Sequence, residues 1–108
     1  MNLIDFLKIT VSIGDREQSC TQICSLTKKI CVEEAFPFIN HCSIISHFLK
    51  KRWPRIVKEN CVSYDDMYYK NRPSIDRRYF IMRVVLDEKR FSCNEIGERH
   101  EIRVCPCL

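Results

Sequence analysis

Cysteine is the residue type in this chain with the most chemistry to offer. There are eight: Cys20, Cys24, Cys31, Cys42, Cys61, Cys93, Cys105 and Cys107, in 108 residues. An even count in a short chain points to disulfide pairing, and disulfides persist in oxidising compartments. Cys105-Pro-Cys107 is the most informative pair. On a strand, alternate residues leave the same face about 6.6 Å apart. Their Cβ vectors then run parallel, which disfavours a bridge between the two. Each should reach a different neighbour on an adjacent segment. Cys61, on an expected strand, is a natural partner for one of them. Cys93, in a polar connection, should reach the N-terminal half.

The competing chemistry is metal ligation. Cys105-x-Cys107 with Cys20-x-x-x-Cys24 and one of His41, His47 or His100 contains the donors of a tetrahedral zinc site. The common C-x-x-C and H-x-x-x-H spacings are absent, so the expectation is no metal and no cofactor. No paired carboxylates, phosphate loop or nucleophile motif stands out, and the chain reads as a non-enzyme. Net charge is +4. The excess is spread evenly over the two halves, which suits an acidic partner better than nucleic acid, where clustered charge is the rule. Lys50, Lys51, Arg52 and Arg55 are the densest basic group and read as a solvated face. No stretch approaches the ~20 mostly apolar residues of a membrane span. Asp5 and Lys8 interrupt the apolar start, so residues 1–14 do not read as a signal peptide. With eight cysteines the expected compartment is nevertheless extracellular, and a truncated start is the expected explanation.

The length fits one domain: an N-terminal segment, 1–19, and a disulfide-rich body, 20–108. Leu3, Phe6, Leu7, Thr10 and Val11 predict a short helix in residues 1–13. Residues 14–19 read as loop, and 20–34 as loop or irregular structure stapled by bridges. Residues 37–51 predict a short helix with Pro37 in its first turn and Phe38, Cys42, Ile45 and Leu49 on one face, although its isoleucines also suit extended structure. Pro54 should stop it. Strands are expected at 55–62, 77–86 and 101–107, the last two forming an antiparallel hairpin. Tyr64–Asn71 reads as a tyrosine-rich loop.

Read together, the C-terminal segments resemble the interleukin-17 family of cytokines. RYFIMRVV, then Cys93, then EIRVCPCL is similar to that family's closing strand, cysteine-bearing hairpin and C-x-C strand. RWPRIVKENC (52–61) resembles its R-[YF]-P segment leading to the first knot cysteine, and NRPSI (71–75) its N-S-V-P-I stretch. The likeness covers residues 52–108. RWPRIVKENC also resembles the W-P-R segment of noggin, trunk and prothoracicotropic hormone, secreted cystine-knot ligands with more cysteines after the first knot position. The stretch 62–71 lacks the family's second knot cysteine, and residues 20–42 match nothing in it.

The resemblance implies a small, mostly β, disulfide-rich fold with a cystine-knot-like β-ribbon and a short N-terminal helix. It implies a Cys61–Cys105 bridge, with Cys107 and Cys93 reaching cysteines in the 20–42 stretch. It also implies a secreted ligand that forms a homodimer and binds a cell-surface receptor ectodomain, with no nucleic acid and no membrane insertion. A noggin-like extracellular antagonist and an intracellular zinc module are the alternatives. Tyr64, Tyr68, Tyr69 and Trp53 are the interface candidates, because Tyr and Trp are enriched at binding hot spots. The plainer reading is that the tyrosines roof the core and that Trp53 is a core or knot-flanking aromatic.

Overall fold

A computed structural model of the chain describes residues 3–64, 70–86 and 91–108. Five strands form one mixed sheet: β1 (Thr10–Ile13), β2 (Cys61–Tyr64), β3 (Ser74–Asp76), β4 (Ile81–Val85) and β5 (Glu101–Cys107), in the spatial order β1-β5-β3-β4-β2. The described residues also form four short helices, α1 (Leu3–Lys8), α2 (Cys20–Ser25), α3 (Phe36–Ile39) and α4 (Cys42–Leu49), of which α2, α3 and α4 pack on the sheet. The fold is a small disulfide-rich sheet as expected, but it is mixed α and β rather than mostly β.

β5 is the axis of the molecule. Every residue of it is buried. β1 runs antiparallel along residues 104–107 on one side, and β3 along residues 101–103 on the other. Beyond β3, residues 30–32 continue that side: Ile30 and Leu108 exchange hydrogen bonds of 3.0 and 2.9 Å, and the Val32 amide donates to the Pro106 carbonyl at 3.0 Å. Pro106 has no amide hydrogen to give. A proline inside a sheet is tolerated where pairing ends, and residues 33–35 turn away into a single 3₁₀ turn.

The expected hairpin of 77–86 with 101–107 does not form, because β3 lies between β4 and β5 and pairs antiparallel with both. Residues 77–80 are the β3–β4 turn rather than the start of a strand. The Asp76 carboxylate accepts the Arg78 amide at 2.9 Å, an Asx turn that bends the chain where aromatic content suggested extension. The first expected strand also shortens. Residues 54–60 are turns, closed by Ile56 N–H to Trp53 O and Asn60 N–H to Val57 O, each 3.0 Å. Only Cys61–Tyr64 is extended, parallel to β4.

The helices follow local rules. α1 is the expected N-terminal helix, ended where the β-branched run Ile9-Thr10-Val11 favours extension. α2 replaces the irregular structure expected over 20–34. Ser19 and Gln22 form a reciprocal capping box, Ser19 Oγ accepting the Gln22 amide and Gln22 Oε1 accepting the Ser19 amide. The helix expected over 37–51 is split at Asn40. Pro37 sits in the first turn of α3, and Ile45 and Leu49 of α4 are buried while Phe38 is exposed. Asn40 is drawn off to serve the sheet: its amide donates to Val85 O at 2.7 Å and its carbonyl accepts Val85 N–H at 3.0 Å. That extends the pairing of β4 with a side chain.

Candidate partner-binding surface

All eight cysteines are paired: Cys20–Cys105, Cys24–Cys107, Cys31–Cys93 and Cys42–Cys61. The two sulfurs of the C-x-C strand go to different partners, as their parallel vectors require. Cys107 and Cys93 both reach the 20–42 stretch. The Cys61–Cys105 bridge does not exist. Cys61 lies on β2 at the far edge of the sheet, with β4 and β3 between it and β5. The partners of Cys105 and Cys107 come from α2 instead, where Cys20 and Cys24 share one helix face and are fully buried. With its two bridges, α2 closes a small ring from residues 20–24 and 105–107. Because no thiol is free, the cysteines offer no thiolate to zinc. Among the described residues no cluster of three or more metal-ligating side chains forms.

Beneath the sheet lies a charged network that the sequence did not suggest. Arg83 Nη2 and Arg78 Nη2 donate to Asp76 Oδ2 at 3.0 and 3.1 Å. Arg83 Nε lies 3.0 Å from Glu101 Oε1, an ion pair by distance but not aligned as a hydrogen bond. Arg72 approaches the same carboxylate at 3.6 Å. Burial works against the Asp76 charge, yet the Arg78 side-chain and backbone hydrogen bonds, with Arg83, outweigh it and hold the carboxyl below 3.8. Tyr64 belongs to this network. Arg72 stacks on its ring at 4.2 Å, and its hydroxyl accepts Arg83 Nη1 at 2.9 Å. It is half-buried and occupies the end of β2, not a loop.

Arg103, two residues along β5 from Glu101 and so on the same face, performs a matching task further along the strand. Its guanidinium is buried and donates to the Ser92 carbonyl at 2.8 Å and to the Glu95 carbonyl. It lies over Phe36, which stacks on Phe91. Burial pushes the guanidinium down to about 10, so it remains charged at neutral pH. This clamp fixes the segment that carries Cys93 to Cys31.

The exposed candidate is at the β3–β4 turn. Phe80 has φ of 55°, a left-handed conformation for a bulky aromatic. Two contacts impose it: the Asx turn of Asp76, and Asn60, whose amide donates to the Tyr79 and Phe80 carbonyls at 3.0 and 3.1 Å. The result aims Phe80 edge-on at Trp53, ring centroids 5.7 Å apart, and places the Arg55 guanidinium 4.5 Å above the Phe80 ring. Trp53, Pro54, Phe80, Arg52, Arg55 and Arg77 line an open groove of about 320 Å³. Tyr79 stands beside it, 62% exposed, with Arg78 over its ring at 5.2 Å.

Of the sequence candidates, Trp53 is half-buried, packed with Phe80 against the core while both line the groove. Tyr64 sits at the opposite end of the β2–β4 ladder, paired with Val85 while Cys61 pairs with Met82. Tyr68 and Tyr69 lie outside the described residues. Sequence reasoning placed Tyr79 and Phe80 on opposite faces of one long strand, whereas both lie in the turn that precedes β4. The D-R-R-Y run, an Asx-turn former followed by charges, carried the turn signal. No family model and no curated protein matches the chain.

Proposed function

We propose that the chain is a secreted ligand of the cytokine or growth-factor kind, which binds a receptor ectodomain through the β3–β4 turn and the Trp53 groove. The observation that carries this reading is the strained turn. A bulky residue in the left-handed region costs about 1–3 kcal/mol and persists where the surroundings over-determine it, often at ligand clamps. Here the strain serves to present Trp53, Tyr79, Phe80 and their stacked arginines at the surface, and Trp, Tyr and Arg are the residue types of binding hot spots. Four disulfides are typical of extracellular proteins, which supports secretion.

The cystine-knot-like ribbon belongs to this reading. The ring of residues 20–24 and 105–107 is the kind of double bridge on which such a knot is built, although α2 supplies one side of it and Cys61 has no part in it. That departure removes the central piece of the likeness between residues 52–61 and the interleukin-17 family, so the ligand reading rests on the surface more than on the resemblance. A homodimer is part of the same proposal, supported by the place of β2 at the edge of the sheet among the described residues and by exposed Val62 on it. An extracellular antagonist is the second reading, favoured by the place of Trp53-Pro54-Arg55 in the groove.

The test is saturable binding of the oxidised, labelled protein to cells, competed by unlabelled protein. Tyr79→Ala and Trp53→Ala should each weaken it about tenfold or more, the size of a hot-spot loss. Absence of saturable binding across cell types of the source tissue would overturn the ligand reading. A reporter switched on by added protein marks a ligand, and one switched off in the presence of a known factor marks the antagonist. Light scattering that finds only a monomer at micromolar concentration would remove the dimer.

A further inference from the structure

We infer that the arginine-rich end of the molecule is a docking site for a sulfated polysaccharide, separate in chemistry from the aromatic contact proposed above. Arg16, Arg52, Arg55, Arg77, Arg78 and Arg99 come from distant parts of the sequence, and all are exposed. The fold gathers them. Arg16, Arg77 and Arg99 line one open, mostly polar cleft, with Asp15 and Glu17 as the other lining residues. Arg52, Arg55 and Arg77 line the aromatic groove next to it. Arg77 belongs to both, so the two join into one track. Arg78 projects from the same turn.

Positive charge exceeds negative along this track. Arg77 meets Asp15 only at 4.0 Å, with both side chains largely exposed, and such a pair is weak. Asp76 compensates Arg78 from beneath the surface. Glu17 is the other carboxylate that lines the cleft. The field is felt nearby: slight burial first, and then the charges of Arg78 and Arg99, lower His100.

The chemistry of the occupant follows from three features. Guanidinium forks match anions that present two oxygens, such as sulfate and carboxylate. An open track without a deep pocket fits a linear polyanion that lies along it, not a small anion that must be enclosed. An oxidised, disulfide-bonded chain belongs to a compartment where nucleic acid is not an ordinary partner, which leaves sulfated polysaccharide as the polyanion. Between this and an acidic protein segment, the spread of exposed arginines over both grooves, joined at Arg77, favours the flexible, evenly charged chain.

Retention on immobilised heparin tests this directly, using the intact oxidised protein and a salt gradient. Native protein should be held beyond physiological salt. Arg16→Glu and Arg99→Glu, which touch neither the Trp53 groove nor any disulfide, should each lower the slope of log affinity against log salt by about one or more. Lys70→Glu, an equal charge reversal outside both grooves, should leave that slope near native, and thermal melting should show all variants folded. Flow-through of the native protein at physiological salt overturns the site. So does an equal loss for Lys70→Glu and Arg99→Glu, which reports net charge alone. Equal or stronger retention on immobilised poly-L-glutamate overturns the polysaccharide assignment in favour of an acidic protein. Cell binding that fails while heparin retention persists would count against the receptor reading and leave this one standing.

Discussion

At the β5 side of the sheet, two bridges, a fully buried strand and the Arg103 clamp hold the chain from both flanks. At the β3–β4 turn, a half-buried positive-φ phenylalanine underlies two stacked arginines and an exposed tyrosine, held in shape by Asn60 and Asp76. The first region places polar groups in the core and ties the two terminal nitrogens of Arg103 to backbone carbonyls. The second places apolar and charged groups at the surface and spends conformational strain to do so. The contrast separates residues that hold the fold from residues available for contact, and it orders the expected effects of substitution.

The largest effect should come from the ring. Replacing Cys20, Cys24, Cys105 and Cys107 together by Ser opens both bridges of the ring, whose cysteines are 85 and 83 positions apart. It should cost about 4 kcal/mol in guanidinium unfolding, or abolish folding. Cys42→Ser with Cys61→Ser opens one of separation 19 and should cost about 3 kcal/mol. If the second pair proved the costlier, the β5 side would not be the mechanical centre.

Arg103→Met should come next, at about 3 kcal/mol, because it leaves the Ser92 and Glu95 carbonyls without their donor. Urea midpoints at neutral pH measure it. A cost below about 1 kcal/mol would place Arg103 with the surface arginines, whose ion pairs are worth that little.

Asp76 links the two regions, since it braces the turn from a buried position. Its folded pKa lies below the unfolded value near 3.8. Its contribution is therefore complete above the unfolded pKa and is lost as pH falls through the folded one. Asp76→Asn should lower stability at neutral pH by about 1–2 kcal/mol and flatten the decline below about pH 4. A variant whose acid limb matched the native curve would show that other carboxylates set it.

The smallest effect sharpens the account of the turn. Phe80→Ala and Phe80→Gly both remove the Trp53 contact, but glycine accepts φ of 55° without strain. The glycine variant should be the more stable of the two by about 1 kcal/mol. Equality would mean the turn relaxes once the ring is gone.

What could be read from the sequence follows the same divide. β5 was legible, because alternating β-branched residues and the C-x-C spacing both report a strand, and the divergent destinations of Cys105 and Cys107 follow from its geometry. The S-x-x-Q capping box of α2 was also present at Ser19 and Gln22, but the density of cysteines masked it. β3 was not legible. Ser74-Ile75-Asp76 is too short for periodicity, and its role as a central strand comes from pairing on both sides. Nor was the burial of Arg103 and Glu101, since charged residues read as surface unless their partners are known, and those partners are fixed only by the tertiary fold. The surface was legible in part. Trp53 stood out by type, whereas Tyr79 and Phe80 were hidden by an aromatic run that imitates a strand.

The bridge pattern also sets an order in time. Cys42 and Cys61 precede the other native partners to complete a pair during synthesis, followed by Cys31 with Cys93. Cys20 and Cys24 leave the ribosome first among the cysteines yet wait for Cys105 and Cys107. Until then the α2 thiols are exposed to each other and to Cys31, close in sequence and wrong as partners. Efficient production therefore depends on reshuffling by a disulfide isomerase more than on the speed of oxidation, and a host that oxidises quickly without isomerising would accumulate mispaired N-terminal cysteines.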